Sequence, residues 1–175
     1  GSVPTNDYEC FLALKYMIAQ ASRSRHELLV FRAKINGQSI NVMVDSGSTS
    51  DIIDDGCRRR CGLHSHAGSP TMTMSMANSA TVDSKGICSD TSIRFGNQFK
   101  DTRDLLVLDL GGKFDVILGQ PFLFSRNPWI DWQNRTMRFR IRHPNKDDDG
   151  KTSHVYSHRE LKSEDIEPIL TINEM

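Results

Sequence analysis

The residues best placed to do chemistry follow a short apolar strand, where an aspartate is joined to a small hydroxyl residue and a glycine. The run reads Val42-Met43-Val44-Asp45-Ser46-Gly47-Ser48-Thr49-Ser50. A carboxylate at the end of a buried strand can project into a cleft while the strand itself stays fixed. Gly47 lacks a Cβ, so backbone amides can approach that carboxylate closely. A bare Asp-Ser-Gly is usually a plain turn, but the preceding strand and the following hydroxyl residues favour a functional one.

A second apolar strand that ends in a glycine lies about 70 residues further along the chain. It reads Phe114-Asp115-Val116-Ile117-Leu118-Gly119-Gln120-Pro121-Phe122-Leu123 and predicts a strand that enters a short helical turn. The stretch Asn127-Pro128-Trp129-Ile130-Asp131-Trp132, with the four residues after it, predicts a strand, a turn and a further strand. Taken alone, this segment is ordinary core and hairpin sequence.

Four potential metal ligands lie within ten residues, at Cys57, Cys61, His64 and His66. The cysteine spacing is tolerable for zinc, but the four residues match no closed zinc module. Two part-buried thiols one helical turn apart, followed by loop histidines, account for the pattern better. The arginine run Arg58–Arg60 has no interleaved aromatic residues and indicates a solvated face rather than a nucleic-acid site. We therefore expect no metal and no cofactor.

The elements that must position these residues are mostly strands. Leu28–Ile35 and Ile40–Val44 have a hydropathy period of two, and Asn36-Gly37 between them predicts a type I′ hairpin turn. The further predicted strands are Thr71–Met76, Thr81–Cys88, Ile93–Phe95, Leu105–Leu108, Asp115–Leu118 and Thr136–Ile141. Two short helices are predicted, at Asp54–Cys61 and Gln120–Ser125. Short strands separated by turn signals indicate an all-β, barrel-like domain with one or two short helices.

The two ends of the chain differ from this body. Residues 1–27 form an N-terminal extension with a predicted helix at Tyr8–Ala21. Residues 143–175 hold 8 acidic and 4 basic residues, which predicts a charged, solvated tail or linker with one short helix at Glu160–Ile166. The predicted division is therefore an extension over 1–27, a domain over 28–142 and a tail over 143–175.

Composition excludes several classes of protein. The 22 basic residues equal the 22 acidic residues, which argues against a protein built to neutralise phosphate or to coat an acidic membrane. The longest apolar runs are four residues long, so no segment spans a bilayer. No signal-peptide pattern is visible and the 4 cysteines are too few for a disulfide scaffold, which favours a reducing, intracellular compartment. A chain of 175 residues is also too short for an enzyme of two full lobes.

Together, the two motifs resemble those of the retropepsin-like aspartic proteases, most closely the proteases of gypsy-type long-terminal-repeat retrotransposons. In that family a strand ends in Asp-Ser/Thr-Gly, a flap hairpin follows, and an apolar Ile-Leu-Gly strand then enters a short helix. Gypsy-type members often continue with an Asn-Pro-x-Ile-Asp-Trp stretch, matched here by Asn127–Trp132. The resemblance covers roughly 28–141 and implies a closed barrel, the single lobe of an acid protease.

The resemblance implies a role for each matching residue. Asp45 would be the catalytic carboxylate, Ser46 would form a hydroxyl grip between facing active-site turns, and Gly47 would complete the turn. The flap would span Met72–Gly86. The substrate-binding residues would be Met76, Ala77, Asn78, Ser79, Ala80, Ile117 and Leu118. The tip of this flap lacks the glycines that many family members carry.

The chemistry of aspartic proteases needs two carboxylates that share one proton, and this chain offers only one Asp-Ser-Gly. Asp90-Thr91-Ser92 and Asp83-Ser84-Lys85 come near but lack the glycine. The resemblance therefore implies a two-fold symmetric homodimer to which each copy contributes Asp45. Ser48 stands where many viral relatives carry alanine, and we expect its hydroxyl to donate to the carboxylate and so to lower the apparent pKa of the pair.

The leading hypothesis is a homodimeric aspartic endopeptidase that cleaves its own Gag-Pol-like polyprotein, in the cytoplasm or in a virus-like particle. Its partners would be a second copy and a polypeptide substrate, with no nucleic acid and no membrane. One alternative is a domesticated dimerisation or binding module with little or no proteolysis. The intact Asp45-Ser46-Gly47 favours the enzyme. A third, weaker alternative is a metal- or nucleic-acid-binding domain centred on Cys57–His66.

Overall fold

The structure is a computed structural model, and the part of the chain that it describes comprises residues 29–67, 73–75, 81–97, 99–112, 114–146, 150 and 152–163. The predicted helix at Tyr8–Ala21 and the flap residues predicted to bind substrate, Met76–Ala80, with the flap tip among them, lie outside these residues. The described elements follow in this order: β1 Leu29–Ile35, β2 Gln38–Val44, β3 Ile52–Asp54, α1 Asp55–Arg60, β4 Thr73–Ser75, β5 Thr81–Asp83, β6 Ile87–Phe95, β7 Phe99–Leu108, β8 Val116–Leu118, α2 Gln120–Arg126, β9 Trp129–Asp131, β10 Thr136–Lys146 and β11 Thr152–Lys162.

The first hairpin joins β1 to β2 through the predicted Asn-Gly turn. Asn36 and Gly37 have φ angles of 49° and 80°, and a type I′ turn requires positive φ at both positions. The register runs from Ile35 opposite Gln38 to Leu29 opposite Val44. The predicted hairpin is therefore confirmed, and its register fixes where β2 ends.

Six strands close into a barrel in the order β1-β2-β8-β3-β7-β6. Two of the pairings, β2 with β8 and β3 with β7, are parallel, and the others are antiparallel. Inward-facing side chains alternate along the strands and fill the barrel with apolar residues. Fully buried members include Phe31, Val42, Ile53, Ile93, Leu105 and Val116. The predicted all-β class and closed barrel are confirmed.

A separate two-stranded sheet pairs β4 with β5 in antiparallel fashion, with Met74 opposite Val82. This pairing agrees with the predicted return of the chain between residues 72 and 86. The residues of the predicted flap tip are not among those described.

Both predicted short helices are present. Helix α1 begins after Asp54, whose carboxylate accepts a hydrogen bond from the backbone N–H of Cys57 at 3.2 Å and so satisfies a free amide of the first turn. Helix α2 begins after Gly119 and ends at Asn127, which adopts the left-handed conformation at φ 44°. In the described part of the chain, no helix has the length and apolar character needed to cross a membrane.

The segment predicted as a charged, solvated tail contains strand structure instead. Strand β10 continues to Lys146, and β11 pairs with it in an unbroken antiparallel register from Thr136 opposite Lys162 to Lys146 opposite Thr152. The expected linker is therefore wrong for residues 143–146 and 152–162, and the expected helix is wrong at Glu160. Polar composition predicted a solvated segment, but backbone hydrogen bonds to a neighbouring strand do not depend on apolar side chains.

The sheet β9-β10-β11 is anchored to the barrel through β10. Met137 and Phe139 are buried in the common core, and the ring of Phe139 stacks on that of Phe99 with centroids 4.3 Å apart. Leu161 of β11 is partly buried against the same core. The C-terminal strands thus extend the protein core.

Candidate active site

Asp45 is the first residue after β2, and the barrel fixes its backbone. β2 runs parallel to β8, with Val44 opposite Leu118, and the backbone N–H of Asp45 donates to the carbonyl of Leu118 at 2.9 Å. The side chain of Asp45 is half-buried, at the junction of barrel and solvent. A fixed backbone under a partly exposed carboxylate is the arrangement that acid–base chemistry on a bound substrate needs.

The backbone of the turn that follows Asp45 forms hydrogen bonds with this residue. The N–H of Ser48 donates to the carbonyl of Asp45 at 3.1 Å, and the N–H of Gly47 donates to Asp45 Oδ1 at 2.8 Å. A Cβ on Gly47 would lie only 3.2 Å from that same oxygen, so a larger residue would crowd the carboxylate. The backbone thus orients Asp45 through an amide hydrogen bond.

Ser46 is exposed at the outer point of this turn. Its carbonyl accepts a hydrogen bond from the side chain of Gln120 at 3.2 Å, which links the turn to the first residue of α2. The hydroxyl grip expected between the Ser46 residues of two copies stays a prediction.

Ser48 is buried and does not face the carboxylate as expected. Its hydroxyl donates to the carbonyl of Ser50 at 2.7 Å, within the same loop. The expected hydrogen bond from Ser48 to Asp45 is therefore wrong in this structure, because the single hydroxyl proton is donated to the Ser50 carbonyl. Ser48 therefore holds the loop in shape.

Gly119 and Gln120, which follow β8, contact the backbone of the loop that carries Asp45. The N–H of Gln120 donates to the carbonyl of Ser48 at 2.8 Å. A Cβ on Gly119 would overlap the carbonyl oxygens of Ser48 and Ser50, so only glycine fits there. Leu118 is fully buried and Ile117 nearly so, which makes both of them packing residues of the described site.

A buried charge network, which sequence analysis did not find, joins the loop to α2. Asp51 accepts hydrogen bonds from the N–H of Gly119 at 2.7 Å and from Arg103 at 3.2 Å. Arg103 also donates to Asp101 at 2.8 Å, and Arg126 donates to Asp101 at 2.6 Å. Asp101 is completely buried. The only sequence signal was the spacing of Asp101 and Arg103, which places both side chains on one face of a strand.

Two residues of this network, Asp51 and Arg103, have shifted pKa values. Burial raises the pKa of Asp51 above its ordinary value of 3.8, although the Gly119 amide and the Arg103 charge oppose the shift. Burial disfavours the charge of Arg103, but hydrogen bonds and charge from Asp101 and Asp51 outweigh it and raise the pKa of Arg103. Arg103 also lies over the ring of Phe122, 5.2 Å from its centroid.

The cysteine–histidine cluster is divided between core and surface. Cys57 and Cys61 are buried with their sulfurs 3.9 Å apart, whereas His64 and His66 are exposed. Burial raises the pKa of both thiols, which disfavours the thiolate that a metal would need. Among the described residues, no group of three or more His, Cys, Asp or Glu side chains could hold a metal ion.

Comparisons with known proteins give a family for this chain. A family model described as the PEG10/RTL1 protease domain matches residues 41–147. Among solved structures, the chain is similar to the retroviral protease-like domain of Ddi1 from Leishmania major, with 16% identity over 73% of this chain and 94% of that chain and a TM-score of 0.49. It is also similar to a retropepsin-like aspartic protease from Rickettsia conorii, with 21% identity over 59% and 75% of the two chains and a TM-score of 0.38. No curated protein matches.

Proposed function

Because the chain belongs to the PEG10/RTL1 protease domain family of retropepsin-like proteases, we propose that it is an aspartic endopeptidase, active as a homodimer. Asp45 of each copy is the catalytic carboxylate. The observation that carries this proposal is the geometry of Asp45, which is half-buried at the end of β2 and bound through Oδ1 to the N–H of Gly47. A silent binding module would have no physical need for a carboxylate oriented in this way.

The reaction requires two carboxyl groups in different protonation states. One ionised carboxylate takes a proton from water as the water attacks the peptide carbonyl, and the other, protonated, donates to the carbonyl oxygen. Two carboxyl groups a few ångströms apart share one proton because ionising both is costly, as is known for aspartic proteases in general. The amide of Gly47 keeps Oδ1 of each aspartate in place during this exchange.

The second carboxylate comes from a second copy of the chain. Asp45 is the only aspartate in an Asp-Ser-Gly sequence. A two-fold axis through the site would place the two exposed Ser46 turns face to face. Phe124 supports this arrangement: it is 92% exposed, and it lies one helical turn after Gln120, which contacts the Ser46 turn. An interface around the axis would bury this ring.

The substrate that this site would take is an extended polypeptide, and the family resemblance points to the protein's own Gag-Pol-like precursor. Met76–Ala80 would cover the substrate from the flap, while Ile117 and Leu118 would shape the floor of the cleft. Such processing would take place in the cytoplasm or in a virus-like particle. Residues 28–142 would form the protease domain, with 1–27 as its extension, and the tail assigned to 143–175 would begin with strands that complete the fold.

The test is cleavage of a peptide library at several pH values by wild-type protein, Asp45→Asn and Asp90→Asn, with products mapped by mass spectrometry. Asp90 is a matched control because it is exposed and has a φ of 50°, which asparagine also adopts readily. Cleavage by wild type and Asp90→Asn, but not by Asp45→Asn, would support the proposal. Equal cleavage by all three, or by none, would contradict it and favour a non-proteolytic module.

A further inference from the structure

A cleft of about 500 Å³ lies along β1, between this strand, β6 and the end of β11. Arg32, Lys34, Arg94 and Lys162 line it, and no acidic side chain is among its described lining residues. Its lining along β1 runs from Phe31, opposite Val42, to Lys34, opposite Ser39, and includes no residue of the Asp45 loop or of α2. It is therefore separate from the candidate active site.

Two of the cations that line this cleft, Lys34 and Arg94, occupy directly opposite positions on neighbouring strands. Lys34 of β1 lies directly opposite Arg94 of β6, and Arg94 lies directly opposite Lys100 of β7. Like charges in directly opposite positions destabilise a sheet. None of Lys34, Arg94 and Lys162 forms an ion pair with another described residue. A ligand rich in carboxylates would relieve this repulsion.

The chain itself passes the rim of the cleft at a fixed point. Ser163 follows Lys162 and is buried, and its hydroxyl both accepts from the N–H of Val30 at 2.8 Å and donates to the carbonyl of Val30 at 3.1 Å. The N–H of Ser163 also donates to the carbonyl of Arg135 at 2.7 Å. Three of the next four residues are acidic, in the order Glu164-Asp165-Ile166-Glu167.

We propose that this acidic segment, residues 164–167, binds the basic cleft of its own chain. Ser163 is bound to Val30, which lies four positions or about 13 Å along β1 from Lys34, and four extended residues reach about 14 Å. Single surface ion pairs are weak, but a short tether gives the segment an effective concentration in the millimolar range. The bound segment would neutralise the cleft and shield it from other polyanions.

The test compares two variants of the full chain that each lose three negative charges. The first is Glu164→Gln/Asp165→Asn/Glu167→Gln, and the matched control is Asp147→Asn/Asp148→Asn/Asp149→Asn. We expect the first variant to shift the amide resonances of Lys34 and Arg94 and to lower Tm by about 2–4 °C at low salt. That loss should vanish at high salt, and the control should show neither effect. Equal behaviour of the two variants would overturn the proposal.

A second comparison uses Lys34→Gln/Arg94→Gln in both backgrounds. In the wild-type background this change removes an attraction and should lower Tm, whereas without the acidic segment it removes only repulsion and should raise Tm. The same sign in both backgrounds would overturn the proposal. A short fluorescent single-stranded oligonucleotide supplies the last readout. If the oligonucleotide binds only to the variant that lacks the acidic residues, the result supports shielding of the cleft by the acidic segment. If it binds equally well to wild type, the cleft is a nucleic-acid site and the proposal is overturned.

Discussion

The carboxylate of Asp51 accepts a hydrogen bond from the backbone N–H of Gly119 at 2.7 Å, across 68 residues of sequence. This bond joins the end of the Asp45 loop to the start of α2. The carbonyls of Ser48 and Ser50 pack against Gly119 in the same place. Gly119 and the buried Asp51 therefore fix the position of the loop that carries the candidate catalytic residue.

Replacing Gly119 with alanine should disturb the loop directly. Its φ of −107° is open to any residue, so the cost comes from the collision of the new Cβ with the Ser48 and Ser50 carbonyls. We expect Gly119→Ala to lower the free energy of unfolding by about 1–3 kcal/mol. We also expect it to lower kcat/KM by about 100-fold, because the loop must move.

The control for this change is Gly112→Ala. Gly112 has a φ of 74° and open space where a Cβ would lie, so alanine there brings backbone strain of about 1–2 kcal/mol without a collision. Urea unfolding and peptide cleavage measure both variants. A Gly119→Ala protein as active as Gly112→Ala would contradict the role given to Gly119.

The largely buried Arg103 should contribute far more to stability than Arg138, an exposed arginine that also lies over an aromatic ring. Arg103→Met leaves Asp51 and the completely buried Asp101 without their shared partner, which should cost about 3–5 kcal/mol. The matched control is Arg138→Met: Arg138 also lies over an aromatic ring, but its ion pair with Glu160 is exposed and is worth less than about 1 kcal/mol. Equal losses of stability on chemical denaturation would contradict the account of the network.

The raised pKa of Asp51 predicts a pH dependence of stability with a definite sign. Between pH 3.8 and its higher folded-state pKa, the native protein holds a proton that the unfolded chain has released. Wild-type stability relative to Asp51→Asn should therefore fall as pH rises through that window. Urea unfolding from about pH 3 to 7 measures the difference.

Asp131 is the control for this experiment, because its pKa is shifted in the opposite direction from that of Asp51. Hydrogen bonds from Asn134 lower the pKa of Asp131 below 3.8. Wild-type stability relative to Asp131→Asn should therefore rise with pH up to about that value and then level off. A pH-independent difference for Asp51→Asn would show that its burial does not control its protonation.

Ser48→Ala should change stability rather than the pH–rate profile. The Ser48 hydroxyl donates to the Ser50 carbonyl and not to Asp45, so its removal loses one loop hydrogen bond at a cost of about 1 kcal/mol. The exposed Ser39 is a control, because Ser39→Ala should leave Tm unchanged. A shift of the acidic limb of the profile in Ser48→Ala would instead reveal a hydrogen bond to the catalytic carboxylate.

Features set by neighbouring residues could be predicted from the sequence. The Asn36-Gly37 turn requires positive φ, and the apolar strand before Asp45 places the carboxylate at the strand end; both signals lie within a few residues. The start of α2 after Gly119 can be predicted for the same reason. The family resemblance then supplied the barrel that joins these pieces.

Features that depend on distant partners could not be predicted. β11 is polar in sequence and becomes a strand because β10 offers it backbone partners. The role of Asp51 depends on Gly119 and Arg103, which are 68 and 52 residues away. The partner of the Ser48 hydroxyl is close in sequence, but it could not be predicted either, because the position of the Ser50 carbonyl depends on the shape of the folded loop.

The central claim, that each chain supplies half of a catalytic site, is tested most directly by mixing subunits. Wild type and Asp45→Asn are unfolded, combined in equal amounts and refolded together, and cleavage is compared with that of the same total amount of wild type. Because about one dimer in four then carries two Asp45 carboxylates, we predict about one quarter of the wild-type activity. Retention of about one half would mean that each chain works alone and would contradict the claim.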